Sequence, residues 1–470
     1  MVGYRSKYTV KGGLIVIVQK NQRLTLTVDD VTSDGRAVAK ADGYPLFING
    51  AVTGDTVTVT VTKTNKNYGF ARLETVDEPS QYRVMPECRC ALKCGGCDFM
   101  NINYGYQTQL KKQFVIGNMR RIGGISPEDY TFDGITAADE VLNYRNKAQF
   151  PVGKKGNTAV CGFYSKRSHE VVPVGDCLIQ HPDINRTVAA VLEYANRCKI
   201  SVYDEKSHRG ILRHIYIRRG HKTGDIMAVI VTNSAAPLKD EEVLIGILTK
   251  NPNVKSIVQN INTRRTNIIL GDKNRVIWGD GRIVSEISGL KFCLSPHSFF
   301  QVNGSQTEKL YAKALEYADL HGDETVFDLY CGVGSISLFL ARRAKKVVGV
   351  EIVEAAVENA RRNAELNGIE NADFYCGDCA DVVGELEKNN VKSDVAVVDP
   401  PRKGCSAELI DLLCKMNPEK IVYVSCNSAT LARDAALLHD RGYTVKKLCA
   451  VDMFPQTVHV ETVVLLSKLK

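Results

Sequence analysis

The sequence predicts a multi-domain protein built from a small N-terminal all-β barrel, a central α+β domain and a C-terminal doubly wound α/β domain. Residues 14–76 run as short strands in which Val, Thr and Leu alternate with polar residues, broken by Gly and Asp. Residues 77–290 open on a cysteine cluster and then mix strand-like and helix-like segments. From residue 291 to residue 470, nearly all-apolar strands such as Val395 to Val398 alternate with helical stretches, the pattern of a mainly parallel sheet covered on both faces. A chain of 470 residues is also too long for one ordinary core.

Composition narrows the class. Hydrophobic residues make up 44% and charged residues 24%, the balance of a soluble globular protein. No stretch reaches the roughly 18 apolar residues of a membrane span. The short run Leu14 to Val18 has no signal-peptide character, so a cytoplasmic protein with no membrane contact is expected. In a reducing compartment the fifteen cysteines read as core residues, metal ligands or catalysts rather than disulfides. A net charge of +8 suits an acidic partner such as nucleic acid.

The elements follow in order. "RLTLTVDDV", "RAVAKADG", "YPLFING", "DTVTVTVTKT" and "YGFARLETV" are the barrel strands. Residues 1–76 carry 10 Lys and Arg against 6 Asp and Glu, a basic surface of the kind OB-like barrels use to hold RNA; an adaptor barrel without RNA contact is the alternative. A linker, 77–83, leads to Cys88, Cys90, Cys94 and Cys97. Four cysteines within ten residues point to a metal, and spacing alone suggests zinc. A basic helix near 100–122 follows, expected to pack on the C-terminal domain. Strands 144–150, 162–172 and 212–220 are rich in arginine and aromatics.

In the α/β part, strand "TVFDLY" runs into Cys331-Gly332-Val333-Gly334-Ser335 and then a helix. Glycines there let a ligand approach the backbone. Glu351 ends the next strand, 23 residues after Asp328, and suits ribose hydroxyls. Ser337 stands where a third glycine would serve a dinucleotide, and Asp328 suits a cationic methionine moiety. S-adenosylmethionine is the ligand expected.

Three more features sit at strand ends of the same sheet: Asp399-Pro400-Pro401-Arg402, Cys426, and His459-Val460-Glu461. Methylation of uracil at C5 needs this set of residue types. C5 is a weak nucleophile until a thiolate adds to C6, and a base must later remove the C5 proton so that the thiolate can leave. Cys426 and Glu461 fit those two duties, with Asp399 or Gln301 orienting the base or stabilising the enolate. The bland alternative makes Cys426 a small core residue and Glu461 a solvated strand residue.

"SFFQVN" (298–303), "DLYCGVGSISL", "DPPRKG", "VSCN" and "HVETV" occur in the order of a known family. Over essentially its whole length the chain resembles the 23S rRNA (uracil-5-)-methyltransferases, relatives of the tRNA uracil-54 methyltransferase. The resemblance implies a TRAM barrel at 14–76 and a Rossmann-like methyltransferase domain at 291–470. It makes Cys426 the nucleophile and Glu461 the proton acceptor, and places S-adenosylmethionine on Gln301, Tyr330, Ser335, Glu351, Asp378 and Asp399. It implies a [4Fe–4S] cluster held by Cys88, Cys94, Cys97 and Cys177 in the central domain 77–290, with Cys90 left over and a structural role for the cluster. The tRNA-acting relatives typically lack both cluster and barrel, so 23S rRNA is the expected partner of a monomer. Phe299 and Phe300 beside Gln301 suit stacking on a flipped base. Ser428 stands where the family usually has proline, a departure that bears on the rigidity of the turn after Cys426. Methylation of a tRNA uracil is the alternative activity, and an iron–sulfur RNA-binding protein with a vestigial methyltransferase fold is the non-enzyme one.

Overall fold

The computed structural model describes residues 9–10, 13–14, 18–91, 93–166 and 168–468; the middle of the expected Leu14–Val18 strand lies outside them. The chain divides into two compact units. The first holds the described residues up to 91 with 96–114 and 456–458, and the second holds 93–95, 115–455 and those from 459 onward.

In the first unit a two-strand hairpin, β1 (Thr9–Val10) and β2 (Gly13–Leu14), precedes a closed barrel in sequence. The barrel strands are β3 (Arg23–Val31), β4 (Ala37–Ala41), β5 (Tyr44–Ile48), β6 (Thr56–Thr64) and β7 (Gly69–Glu78), in the order β3-β4-β5-β7-β6, closed by β3 against β6. The Thr-Val alternation of β6 sends Val57, Val59 and Val61 inward. Val57 and Val59 share a core with Val28, Ile48, Phe99, Ile102 and Leu110, and Val61 packs with Ala41 and Leu46. Asp55, fully buried, accepts hydrogen bonds from the N–H groups of Val52 (2.6 Å) and Ser80 (2.9 Å) and from Arg83 Nη2 (2.6 Å). Breaking a buried pair on one side leaves the other charge uncompensated, at about 3–5 kcal/mol. Asp55→Ala is therefore expected to shift the barrel's unfolding to much lower denaturant, measured by urea titration.

In the second unit, β8 (Thr131–Thr136) comes after α1 (Tyr104–Arg121). Then follow β9 (Lys147–Lys155), β10 (Thr158–Tyr164), β11 (Val171–Pro173), α2 (Pro182–Arg197), β12 (Leu212–Arg219), β13 (Ile226–Thr232), α3 (Glu241–Leu248), β14 (Val254–Ile261) and β15 (Lys273–Gly279). Strands β9–β15 form a seven-stranded sheet, β11-β10-β9-β12-β13-β14-β15. Helices α2 and α3 bury Ile184, Val188, Leu244 and Leu248 on one face against Phe150, Ile215 and Ile217. On the other face Tyr216, Met227 and Val229 meet the hairpin β16 (Ile283–Ile287) and β17 (Leu290–Leu294).

The C-terminal part contains α4 (Gly304–Ala318), β18 (Thr325–Leu329), α5 (Ser335–Ala341), β19 (Lys346–Glu351), α6 (Glu354–Leu366), β20 (Ala372–Cys376) and α7 (Cys379–Lys388). After these come β21 (Val395–Val398), α8 (Ala407–Met416), β22 (Lys420–Ser425), α9 (Ser428–His439), β23 (Tyr443–Val451) and β24 (Glu461–Lys468). Its sheet has the order β20-β19-β18-β21-β22-β24-β23-β8, with β24 antiparallel to both neighbours. Helices α4 to α6 cover one face through Leu310, Ile336 and Ala360; α7 to α9 cover the other through Val383, Leu409 and Leu431. Val115 and Met119 of α1 join that second cluster. From β18 the chain steps outward to β20 and then returns to β21 on the other side, so the switch point lies between β18 and β21, where such sheets bind ligands. Among the described residues no helix is long and apolar enough to cross a membrane.

Candidate active site

The ends of β18 and β21 lie side by side: Leu329 pairs with Val398, and the Asp399 N–H donates to the Leu329 carbonyl at 3.3 Å. Beyond β18 the backbone turns sharply at Tyr330, a non-glycine residue at φ 64°, and such strain concentrates at functional sites. Gly334 follows at φ 77°; a Cβ there would lie 3.1 Å from Phe374 and 3.2 Å from Ala360, so the turn needs glycine for its conformation and its packing. Glu351, ending β19, accepts from the N–H groups of Gly332 (3.1 Å) and Val353 (2.9 Å), which ties its carboxylate to the glycine turn. Ser337 donates its hydroxyl to Asp328, which explains a serine in the place of a third glycine. Asp328 is fully buried, and its Oδ1 has no hydrogen-bond partner among the described residues; burial pushes its carboxyl up to about 7. Enclosed in this way, Asp328 would act on a bound cation through its charge rather than by touching it.

The other expected cofactor residues are each held by neighbouring elements. The hydroxyl of Ser335, which opens α5, bonds the Tyr311 hydroxyl at 2.9 Å. Asp378 caps α7 by accepting from the Ala380 N–H at 2.9 Å, and the neighbouring Gly377 N–H donates to the Glu351 carbonyl at 3.0 Å. Gln301 is buried just ahead of α4, its carbonyl held by Asn146 Nδ2 at 3.1 Å. A tethered acid at a strand end, an open glycine turn and an unpartnered buried carboxylate oxygen fit a ligand with a ribose and a positive charge, as S-adenosylmethionine has.

The antiparallel ladder between β22 and β24 ends at Ser425 opposite Thr462. One step beyond it, Cys426 leaves β22 as Glu461 enters β24. Cys426 is half-buried; burial, then Glu461 and Asp399, push its thiol up to about 11, while Arg402 pulls it down. Glu461 is buried, and its carboxyl is raised to about 8 by burial and Asp399, again opposed by Arg402. Asp399 itself is raised to about 7 by burial and Asp328. One end of the sheet therefore gathers a thiol and two acids that favour their neutral forms, with one arginine acting on the thiol and on Glu461.

The turn after Cys426 is rigid without proline. Asn427 caps α9 through the Ala429 N–H (3.1 Å), and Ser428 accepts from Asn118 Nδ2 at 2.9 Å. Asn427 Nδ2 and the Thr430 hydroxyl both donate to the Arg402 carbonyl at 3.1 Å. Asp434 on the same helix, fully buried, accepts from the Cys405 N–H (2.8 Å) and the Tyr423 hydroxyl (2.6 Å). Gly404 sits at φ 79° against it; a Cβ there would lie 2.4 Å from Asp434 Oδ2. Helix α9 thus clamps the Asp399–Cys405 loop and aligns Arg402 with the thiol.

Sequence reasoning missed Tyr311 and Asp434 and gave Arg402 no duty of its own. Asp434 had a legible signal: it lies three residues after Leu431 and one before Ala435 on the inward stripe of α9, where an acid needs partners. Tyr311 had none, since an aromatic on α4 reads as core.

Of the cysteines expected to hold a cluster, Cys88, Cys94 and Cys97 are half-buried and Cys177 is buried. Cys94 bridges to Ser165 beyond β10, and Cys177, ahead of α2, donates its N–H to Asn185 Oδ1 at 3.3 Å. Among the described residues no group of three or more His, Cys, Asp or Glu is gathered as a metal site. The donor chemistry suits a cluster; the gathering of the ligands is not seen.

Known proteins match this architecture. A model described as tRNA (Uracil-5-)-methyltransferase matches residues 283–469, and the TRAM domain matches 18–73. A protein of Clostridium tetani named as an uncharacterized RNA methyltransferase is 44% identical over 451 residues, 96% of this chain and 97% of its own. Another, from Halalkalibacterium halodurans, is 46% identical over 96% of this chain and 98% of its own. The solved structure of Pyrococcus abyssi tRNA (uracil-54, C5)-methyltransferase with S-adenosyl-L-homocysteine is similar at a TM-score of 0.77 and 27% identity, covering 94% of this chain and 99% of that one. Coverage that wide takes in most of the barrel, so the presence of a barrel does not by itself separate rRNA-acting from tRNA-acting enzymes. With a closed TRAM barrel, a methyltransferase sheet and relatives matched along nearly its whole length, the chain belongs to the RNA (uracil-5-)-methyltransferases, S-adenosylmethionine-dependent enzymes.

Proposed function

We propose that the protein methylates C5 of a specific uridine in 23S rRNA through a covalent intermediate on Cys426. The observation that carries this reading is the ladder end where Cys426 and Glu461 meet beside Asp399 and Arg402. Bound S-adenosylmethionine supplies an electrophilic methyl group. Cys426 Sγ, as thiolate, bonds to uracil C6, and the C5=C6 electron pair moves to C5 and O4. C5 takes the methyl; Glu461 accepts the C5 proton; the C6–S bond breaks and returns the thiolate. Arg402 favours the thiolate and the carboxylate that the cycle needs. Gln301, Tyr330, Ser335, Glu351, Asp378 and Asp399 would hold the cofactor around the switch point, and the exposed Phe299 would stack on the flipped base.

Both Cys426 and Glu461 must be ionised, and both are held protonated at neutral pH. The single-turnover rate of methyl transfer, which needs the thiolate but precedes the work of Glu461, is therefore expected to rise with pH with a log–log slope of about 1 toward about pH 11, where the thiol ceases to limit. A pH-jump quench series reads this directly, and a plateau below pH 8 would contradict it.

The rRNA assignment, with the functional division into 14–76, 77–290 and 291–470, is supported by the cluster-type cysteines Cys88, Cys94, Cys97 and Cys177. Iron and acid-labile sulfide in equal amounts after anaerobic purification, both lost in Cys177→Ala, would be the expected sign of a [4Fe–4S] cluster, which no step of the methyl transfer uses. The likeness to the Pyrococcus abyssi tRNA enzyme favours a second reading, tRNA as substrate. Methylation assays on 23S rRNA and tRNA transcripts in competition decide between them.

A further inference from the structure

Three cations gather where the seven-stranded sheet meets the loop that carries Phe299 and Gln301. Lys147 on β9 lies directly opposite Arg218 on β12 in the antiparallel ladder, and Arg145 stands two residues before Lys147. Like charges facing each other across a ladder are destabilising. Among the described residues none of the three forms an ion pair with a carboxylate, whereas Arg219, the next residue on β12, binds Asp183 at 2.8 Å. Burial, then Arg218 and Arg145, bring the Lys147 ammonium down to about 7. Arg218 is buried: Nε donates to the Tyr216 hydroxyl at 2.9 Å, Nη2 donates to the Ser298 carbonyl, and Nη1 has no partner. The same arginine thus braces the residue before Phe299. Phe299 is 64% exposed, and Lys147 Nζ lies 5.7 Å from its ring centroid. The β9 side is tied in as well, since the Asn146 N–H donates to the Val302 carbonyl at 2.8 Å.

A repulsive cation cluster beside an exposed aromatic ring calls for an anion attached to something flat. We propose that Lys147, backed by Arg218 and Arg145, is a phosphate site that seats the RNA backbone next to the base stacked on Phe299. The inference rests on RNA being the substrate, not on which RNA it is. A backbone phosphate there would relieve the facing charges and fix the flipped nucleotide's register, as phosphate contacts do. The carboxylate of S-adenosylmethionine is the other anion within the enzyme's chemistry, and the test separates the two.

The test compares wild type, Lys147→Gln and Lys147→Arg as full chains. A fluorescent uridine-loop RNA hairpin is titrated over a salt series, and S-adenosylhomocysteine binding is measured in parallel. For Lys147→Gln the RNA Kd is expected to rise about tenfold or more. The slope of log K against log salt should become shallower by about 0.7–0.9. S-adenosylhomocysteine binding should be unchanged, and Lys147→Arg should restore RNA affinity. The Tm of Lys147→Gln should equal or exceed wild type, because a repulsion is removed; a loss of fold would move it the other way. An unchanged RNA Kd and slope overturn the proposal, as does a defect confined to S-adenosylhomocysteine, or a fallen Tm without rescue by arginine. None of these readouts needs methyl transfer, so failure here is distinct from failure of the covalent mechanism.

Discussion

Cys426→Ala is expected to lower methyl transfer by a factor on the order of 10⁶ while leaving RNA and cofactor binding near wild-type levels. The charged residues acting on Cys426 are poor substitutes: Glu461 and Asp399 are held toward their neutral forms, and Arg402 has no electron pair to give. The neighbouring thiols are no substitutes. Cys405 is buried beside Asp434 with its thiol pushed up to about 12, and Cys331 is buried under the glycine turn, which raises its thiol well above the ordinary value. Single-turnover transfer of a labelled methyl group, with binding measured separately, reads this split. A fall of less than about tenfold would return Cys426 to the role of a small side chain at a strand end.

Glu461→Gln should act later in the cycle. The amide cannot accept the C5 proton, so addition and methyl transfer proceed and elimination stalls. The expected loss in turnover is about 10²- to 10⁴-fold, with a methylated protein–RNA adduct accumulating on ordinary uridine. The same substitution has an independent signature in stability. The folded state raises the Glu461 carboxyl to about 8, above its value in the unfolded chain, so the folded state binds the extra proton. That contribution is present at low pH and is lost as pH rises through about 8. A glutamine has no charge to bury, so Glu461→Gln should raise the Tm at pH 8.5 and change it little near pH 4. A variant that loses activity without trapping adduct would mean that Glu461 acts before the C6–S bond forms.

Much of this architecture was legible because each part relies on local pattern. The Thr-Val alternation of β6 has one way to close a core, and the apolar runs Val395–Val398 of β21 and 421–424 of β22 fit the middle of a covered sheet. The glycine turn, Glu351 and the strand-end positions of Asp399 and Cys426 follow from the same periodicity. What remained hidden depends on tertiary placement. The clamp of Asp434 on the Asp399–Cys405 loop joins residues 29 apart, and the Tyr311–Ser335 bond joins two helices. The charge facing of Lys147 and Arg218 exists only once β9 and β12 pair in this register. The substitution Ser428 for proline looked like lost rigidity; the hydrogen bonds of Asn118, Asn427 and Thr430 supply it instead.

The measurement that bears most directly on the covalent mechanism is a trapping experiment with RNA in which 5-fluorouridine replaces uridine. Fluorine at C5 cannot leave as a proton, so the cycle stops after methyl transfer with the C6–S bond intact. The expected result is a denaturation-resistant adduct whose peptide map places the RNA on Cys426, and which is absent from Cys426→Ala. Methylated RNA without any adduct, or an adduct on another residue, would contradict it.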